Sequence, residues 1–233
     1  MTGALTADLG WRAYARQLYA LMAKDVIVER RTKDAITAML VFSLLVLVTF
    51  NFALDLRAEI MPAVGPGVLW TAVVLGSTLG LGRTFAVERD QGTLDGLLMA
   101  PVDRSALYFA KLLANMLLMA AVLLVSVPVY AALFNVAVRP LPLLAIVVLG
   151  IVGFAAVGTL FSAMAAHTRA REVMLPILLF PVTVPILIGV VQATGLALGN
   201  PAARDMPWLS LLLGFDAMYV SLGAVTFEHA LEE

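Results

Sequence analysis

The chain has 233 residues, of which 62% are apolar and only 13% are charged, and its net charge is −1. Soluble domains average about 45–50% apolar and about 25% charged residues, so this composition predicts a membrane protein. The length fits one membrane domain of about six helices and leaves no room for a separate soluble enzyme domain. Because the sequence contains no cysteine, it excludes disulfides, thiolate metal ligation and covalent haem attachment through cysteine.

Residues 1–35 predict an amphipathic helix that lies in the membrane interface. Large apolar residues share one face at helical spacing, namely Trp11, Tyr14, Leu18, Leu21 and Met22, while Arg12, Arg16 and Lys24 occupy other faces. No uninterrupted apolar segment is followed by a small-residue cleavage site, so we expect this helix to be retained. The basic ERRTK run at 29–33 favours binding to acidic membrane lipids, and we expect no nucleic-acid partner.

Residues 36–233 predict an all-α membrane domain with six transmembrane helices. The apolar runs lie at about Ile36–Leu54, Val64–Thr84, Ser105–Phe134, Leu141–Ala166, Val173–Ala193 and Trp208–Phe227. With the N-terminus inside, twelve of the fifteen Lys and Arg residues fall on the cytoplasmic side. The three on the other side are Arg57, Arg139 and Arg204. The positive-inside rule therefore predicts that both termini and the segment 85–104 are cytoplasmic.

The segment 85–104, between the second and third spans, carries too much charge for the hydrocarbon core, so we expect it in water or at the interface. Leu94, Leu97 and Leu98 recur at helical spacing and predict a short amphipathic helix over about 93–99. Thr93 is a suitable N-cap and Asp95 suits the first turn. Gly92 permits a sharp turn before the helix, and Pro101 ends it.

The order of these residues resembles the coupling-helix region of ABC-2-like exporter permeases. The run GRTFAVERDQGTLDGLLMAPVDRSALYFAK (82–111), the span that precedes it and VMLPILLFPVTVPILIG (173–189) are more closely similar to the haem exporter protein B family. That family is the permease subunit of the cytochrome c maturation transporter, and the resemblance covers about residues 63–189. It implies that the segment receives motion from an ATPase through Glu88, Arg89, Gly92, Thr93, Leu94, Leu97, Leu98, Pro101, Asp103 and Arg104.

The resemblance also implies the partners and the location. The partners would be an ATP-binding cassette subunit, a polytopic haem-handling membrane subunit and, downstream, a periplasmic haem chaperone. The location would be the bacterial inner membrane, with haem as the candidate cargo and ATP bound by the partner subunit. The chain has no P-loop sequence and no evident catalytic triad or zincin motif, so we expect a non-enzyme without a cofactor or metal of its own. We expect its two histidines, His167 and His229, to be solvated residues at cytoplasmic span ends.

Polar residues and prolines within the spans are candidates for translocation or gating, and they are Asn115, Pro176, Pro181, Pro185 and Asp216. The three prolines predict that the fifth span is kinked or broken, which serves either packing or a transport site. Asp216 is expected to face the bundle interior or to be protonated, and it could also bond to Thr, Asn or Tyr on a neighbouring helix.

Small residues in two other spans predict close helix packing. They are Gly76 and Gly80 in the second span, and Gly158, Ser162 and Ala166 in the fourth. Two alternative functions stay open. One is an ion-coupled secondary transporter with Asp216 as the titrating group. The other is a scaffold without transport activity that relays ATPase motion to release a haem-loaded chaperone.

Overall fold

A computed structural model describes most of the chain, namely residues 2–54, 61–85, 88, 92, 96, 103–136, 140–166, 171–200 and 206–230. Seven long helices account for nearly all of these residues. They are α1 (Thr2–Thr32), α2 (Asp34–Ala53), α3 (Met61–Leu81), α4 (Arg104–Phe134), α5 (Pro140–Ala166), α6 (Arg171–Ala197) and α7 (Trp208–Ala230). The predicted all-helical fold is confirmed.

Helices α2 to α7 are each long and apolar enough to cross a membrane, so the chain is a multi-pass membrane protein with the six expected spans. Most of α3 and α5 is buried, whereas α7 exposes most of its length. The core therefore lies around α3 and α5, with the other spans packed around them. Their outward faces present large apolar side chains, such as Leu124 and Val225, as expected for a surface in contact with lipid.

The last part of α1 and the last part of α7 lie at the same end of the bundle as the start of segment 85–104. Lys24 on α1 contacts Glu88. The ring of Phe227 on α7 lies 5.9 Å from the ring of Phe85. The side of the membrane on which both termini and segment 85–104 lie stays a prediction.

The small residues of α3 and α5 lie where helices approach most closely. A Cβ atom at Gly76 would lie 2.1 Å from Ser43 Oγ on α2, and one at Gly158 would lie 2.4 Å from the side chain of Leu81. The hydroxyl of Ser162 donates a hydrogen bond to the Leu81 carbonyl at 2.6 Å. The prediction of close packing at these positions is confirmed, because a methyl group at either glycine would push the helices apart.

The fifth span is one continuous helix, so of the two predicted forms, kinked or broken, the broken form is wrong and the kinked form stays a prediction. Helix α6 contains Pro176, Pro181 and Pro185, each of which removes an amide donor from the preceding turn. The neighbouring hydroxyls make additional bonds to this region. Thr183 donates to the Leu179 carbonyl at 3.0 Å, and Tyr219 on α7 donates to the Val182 carbonyl at 2.9 Å. Packing against other helices thus maintains a helix that its prolines would weaken in isolation.

Candidate functional site

Four charged side chains meet where segment 85–104 joins the bundle, and we call this group the charge cluster. It consists of Lys24 and Asp25 from α1, Glu88 from the segment and Lys111 from the second turn of α4. Lys24 Nζ lies 2.9 Å from Glu88 Oε1 and 3.2 Å from Asp25 Oδ1. Lys111 Nζ lies 3.1 Å from Asp25 Oδ2 and also bonds Glu88 Oε1. The cluster therefore joins three separate parts of the chain with two positive and two negative charges.

Lys111 is the centre of this arrangement. Its ammonium group donates hydrogen bonds to Glu88 and to the carbonyl oxygen of Thr84 at 3.0 Å, and it forms a salt bridge with Asp25 at 3.1 Å. The ammonium also lies 5.1 Å from the centre of the Phe85 ring, within the range of a cation–π interaction. Its side chain is buried, which is tolerated because charge and hydrogen bonds are both satisfied.

Glu88 and Lys24 lie outside the spans and have shifted pKa values. Both shifts favour the charged form of the residue. Burial by itself raises the pKa of Glu88, but the charge of Lys111 and the hydrogen bonds from Lys111 and Lys24 outweigh it, so its pKa lies below the ordinary 4.5. Burial by itself lowers the pKa of Lys24, but the hydrogen bond to Glu88 and the negative charges of Glu88 and Asp25 raise it above 10.5. The pair is therefore ionic at neutral pH.

A chain of hydrogen bonds continues from the charge cluster into the bundle. Thr84, whose carbonyl binds Lys111, donates through its hydroxyl to Asn115 Oδ1 at 3.0 Å. Asn115 Nδ2 in turn donates to Thr159 Oγ1 on α5 at 2.9 Å. Asn115 was predicted as a translocation or gating candidate, and the structure places it in contact with the end of α3 and with α5. The chain of polar contacts thus connects segment 85–104 to the central helices.

Part of the predicted coupling helix lies within the described residues. Gly92 is in a turn with φ of 65°, so the sharp turn expected there is confirmed. Gly96 is helical and exposed. Asp103 is the N-cap of α4, where its carboxylate accepts a hydrogen bond from Ser105 N at 2.9 Å, and Arg104 begins that helix. The remaining predicted residues, namely Arg89, Thr93, Leu94, Asp95, Leu97, Leu98 and Pro101, lie outside the described residues.

The structure corrects the expected environment of Glu88. We expected this carboxylate to lie in water or at the membrane interface with the other charges of the segment. Its side chain is only 10% exposed, because the ammonium groups of Lys24 and Lys111 replace the water that would otherwise solvate it. Lys24, Asp25 and Lys111 were not recognised as site residues from the sequence. One available signal was that Lys111 lies within an apolar span, where a charged residue requires a partner.

Asp216 lies within α7 and faces the bundle interior. The sequence predicted that it would either face the interior or be protonated, and the first of these alternatives is confirmed. It is 5% exposed and lies against Gly153 of α5 and Ile186 of α6. A Cβ atom at Gly153 would lie 2.3 Å from Asp216 Oδ1. Among the described residues, neither carboxylate oxygen has a hydrogen-bond partner, so the expected bond to a neighbouring Thr, Asn or Tyr is not found.

Within the part of the chain that the structure describes, no group of three or more His, Asp or Glu side chains could hold a metal ion. His167 and the side chain of His229 lie outside the described residues. The fold and the site together define a six-span helical membrane protein with ionic contacts at one end of the bundle.

The chain belongs to the family described as CcmB protein, whose model matches residues 16–233. It is 29% identical to heme exporter protein B of Rhodobacter capsulatus over 209 residues, which cover 87% of this chain and 93% of the relative. It is 26% identical to heme exporter protein B of Bradyrhizobium diazoefficiens over 220 residues, covering 92% and 99%. The protein of the same name in Pseudomonas aeruginosa is 25% identical over 196 residues, covering 82% and 87%. The family predicted from the sequence is confirmed.

Proposed function

We propose that this chain is the permease subunit of a multisubunit transporter that exports or delivers haem for c-type cytochrome biogenesis, with ATP hydrolysed by a separate ATP-binding cassette subunit. The names of its relatives support the haem-export role. The observation that carries the mechanism is the charge cluster, which anchors the start of segment 85–104 to α1 and α4.

In this mechanism the leucine stripe at 94, 97 and 98 docks in a groove of the ATP-binding subunit. A displacement of the segment would pull on Glu88, which is held by Lys111 of α4 and Lys24 of α1. Thr84 and Asn115 would carry the same displacement toward Thr159 of α5. Because breaking a buried ion pair is costly, the segment and these helices would move together rather than separate.

The proposal includes the location and the other subunits. The chain lies in the bacterial inner membrane with both termini and segment 85–104 in the cytoplasm, where an ATPase has access to the segment. It acts with a polytopic haem-handling membrane subunit and supplies a periplasmic haem chaperone. ATP is bound by the partner, haem is the cargo of the complex, and the chain itself carries out no chemical reaction.

Gentle purification of the tagged chain from its native membrane tests this function. We expect an ATP-binding cassette protein and a haem-containing membrane protein to co-purify with it, and depletion of the chain to lower the haem-stained c-type cytochromes of the cells. Normal c-type cytochromes after depletion, together with recovery of the chain alone, would contradict the proposal.

Asp216 favours a second candidate function, an ion-coupled transporter. It is a buried carboxylate in a span to which the described residues offer no hydrogen-bond partner, and such a group is suited to bind and release a proton. Asp216→Asn distinguishes the two functions. An ion-coupled transporter would lose transport while its assembly stays normal. A permease driven by the ATPase subunit would keep ATP-dependent c-type cytochrome formation.

A further inference from the structure

A groove of about 480 Å³ lies on the outer surface where α1, α2 and the end of α3 meet. It is at the same end of the bundle as the charge cluster, yet its lining shares no residue with that cluster. One part of the groove is polar and the other is apolar. This division suggests a ligand with a charged end and a hydrocarbon end.

The polar mouth is formed by Lys33, Asp34, Thr37 and Arg83, and it is basic overall. Lys33 is the single residue between α1 and α2 and is exposed, with φ of 59°. The guanidinium of Arg83, which is 52% exposed, lies 3.8 Å from the Asp34 carboxylate, a long contact between two largely exposed groups. Such exposed pairs contribute little, so the arginine can exchange this partner for another anion. The mouth therefore offers two cations to a single negatively charged group.

Nearby charges strengthen this basic character. Arg30 and Arg31 lie in the last turn of α1, directly before the mouth. The carboxylate of Glu29 accepts a hydrogen bond from the amide of Ile36 at 2.8 Å and is thereby held at the N-terminus of α2. A phosphate at the mouth would face more positive than negative charge.

The floor of the groove is apolar and consists of Val41, Phe42, Leu45 and Leu79. Leu45 and Leu79 are 59% and 43% exposed, so a ligand can reach them. Lys33 and Leu45 are twelve residues apart in the sequence, which along a helix corresponds to roughly 18 Å. This length is close to half the thickness of a hydrocarbon core of about 30 Å. The groove therefore spans one leaflet, from the level of the headgroups toward the bilayer centre.

We propose that this groove binds an anionic phospholipid, with the phosphate between Lys33 and Arg83 and one acyl chain along Leu45 and Leu79. The binding site is specific because its cations and its apolar floor are held by three helices in one geometry. Electrostatic attraction between the basic run at 29–33 and the membrane surface would not by itself place a lipid in the groove. Each basic residue near a headgroup favours an anionic over a zwitterionic lipid roughly fivefold.

The cysteine-free sequence allows a direct test with the full chain. A fluorophore is attached to Val48→Cys, one turn beyond Leu45 and outside the groove lining, or to Leu213→Cys on α7. The native residues are 40% and 61% exposed. Each labelled protein is reconstituted in phosphatidylcholine vesicles that contain a small fraction of acyl-brominated phosphatidylglycerol or acyl-brominated phosphatidylcholine. We expect the anionic lipid to quench the probe at 48 at a fraction at least fivefold lower than the zwitterionic one. The probe at 213 should be quenched equally by both.

Charge variants then identify the mouth. The double variant Lys33→Gln plus Arg83→Gln should abolish the preference for the anionic lipid. The control, Arg12→Gln plus Arg16→Gln, removes the same charge from exposed positions outside the groove lining and should retain the preference. If the first pair does not fold, Ala38→Trp, which fills the groove without changing charge, should abolish the preference for the anionic lipid instead. Equal quenching by both lipids at position 48 in the wild-type background would overturn the proposal. So would a preference lost on adding inorganic phosphate, or quenching by neither lipid together with cross-linking between two copies at position 48.

Discussion

Replacing Lys111 by Met should destabilise the protein more than any other single substitution in the charge cluster. Methionine keeps most of the apolar length of lysine, so the change removes the ammonium group while preserving packing. Glu88 and Asp25 then lose their buried cation and keep only Lys24, which is partly exposed. Removing one partner of a buried ion pair costs about 3–5 kcal/mol. The matched variant Lys24→Met should cost much less, about 0.2–1 kcal/mol as for an exposed pair, because the Lys24 side chain is 42% exposed and that of Lys111 only 4%.

Thermal unfolding of the detergent-solubilised variants, followed by tryptophan fluorescence, measures this difference. In a chain of this size, each kcal/mol of lost stability lowers Tm by about 2–4 °C. Lys111→Met should therefore lower Tm by roughly 6–20 °C, and Lys24→Met by at most about 4 °C. Adding Glu88→Gln to Lys111→Met should recover part of the loss, because it neutralises a buried carboxylate that has lost one of its two cations. Equal shifts for the two lysine variants, or no recovery in the double variant, would refute the account of a buried ionic anchor.

Three further predictions concern packing, buried polar groups and pH. Gly76→Ala should cost about 1–3 kcal/mol because its Cβ would lie 2.1 Å from an oxygen on α2. Gly67→Ala in the same helix, where no described atom lies within 4 Å of the new Cβ, should stabilise by about 0.5–1 kcal/mol, and thermal unfolding compares the two variants. Asn115→Ala should cost about 1–3 kcal/mol, because the part-buried hydroxyl of Thr84 and the buried hydroxyl of Thr159 both lose their partner. Asp216→Asn should not lower Tm, since no hydrogen bond to a described residue is lost. In a pH series, the stability advantage of wild type over Lys24→Gln should be full below pH 10.5 and disappear as pH rises through the raised pKa of Lys24.

The spans could be predicted from the sequence because each is an apolar run of membrane-crossing length. The distribution of Lys and Arg also predicts that both termini and segment 85–104 are cytoplasmic, and this stays a prediction. The positions of Gly76 and Gly158 indicated close packing because small residues at intervals of four are the local requirement for it. These features depend on short stretches of chain and on the bilayer as solvent.

The charge cluster could not be predicted because it depends on contacts between distant residues. Lys24 and Lys111 lie 64 and 23 positions from Glu88, and no local pattern indicates that the three meet. The sequence left open whether α6 is kinked or broken for a related reason. The sequence shows the donors that Pro181 and Pro185 remove, but not the packing against α7 that supports the helix. Tertiary contacts decided both features.

The most direct test of the proposed mechanism is recovery of the ATP-binding subunit with Leu97→Ala plus Leu98→Ala. Truncating a buried anchor at an interface costs on the order of 1–4 kcal/mol, so this pair should release the ATP-binding subunit in a pull-down from solubilised membranes. The matched control is Leu211→Ala plus Leu213→Ala on the exposed face of α7, which should leave recovery unchanged. With equal membrane insertion of both variants, undiminished recovery for the 97/98 pair together with normal c-type cytochrome formation would contradict the claim that segment 85–104 couples this permease to an ATPase.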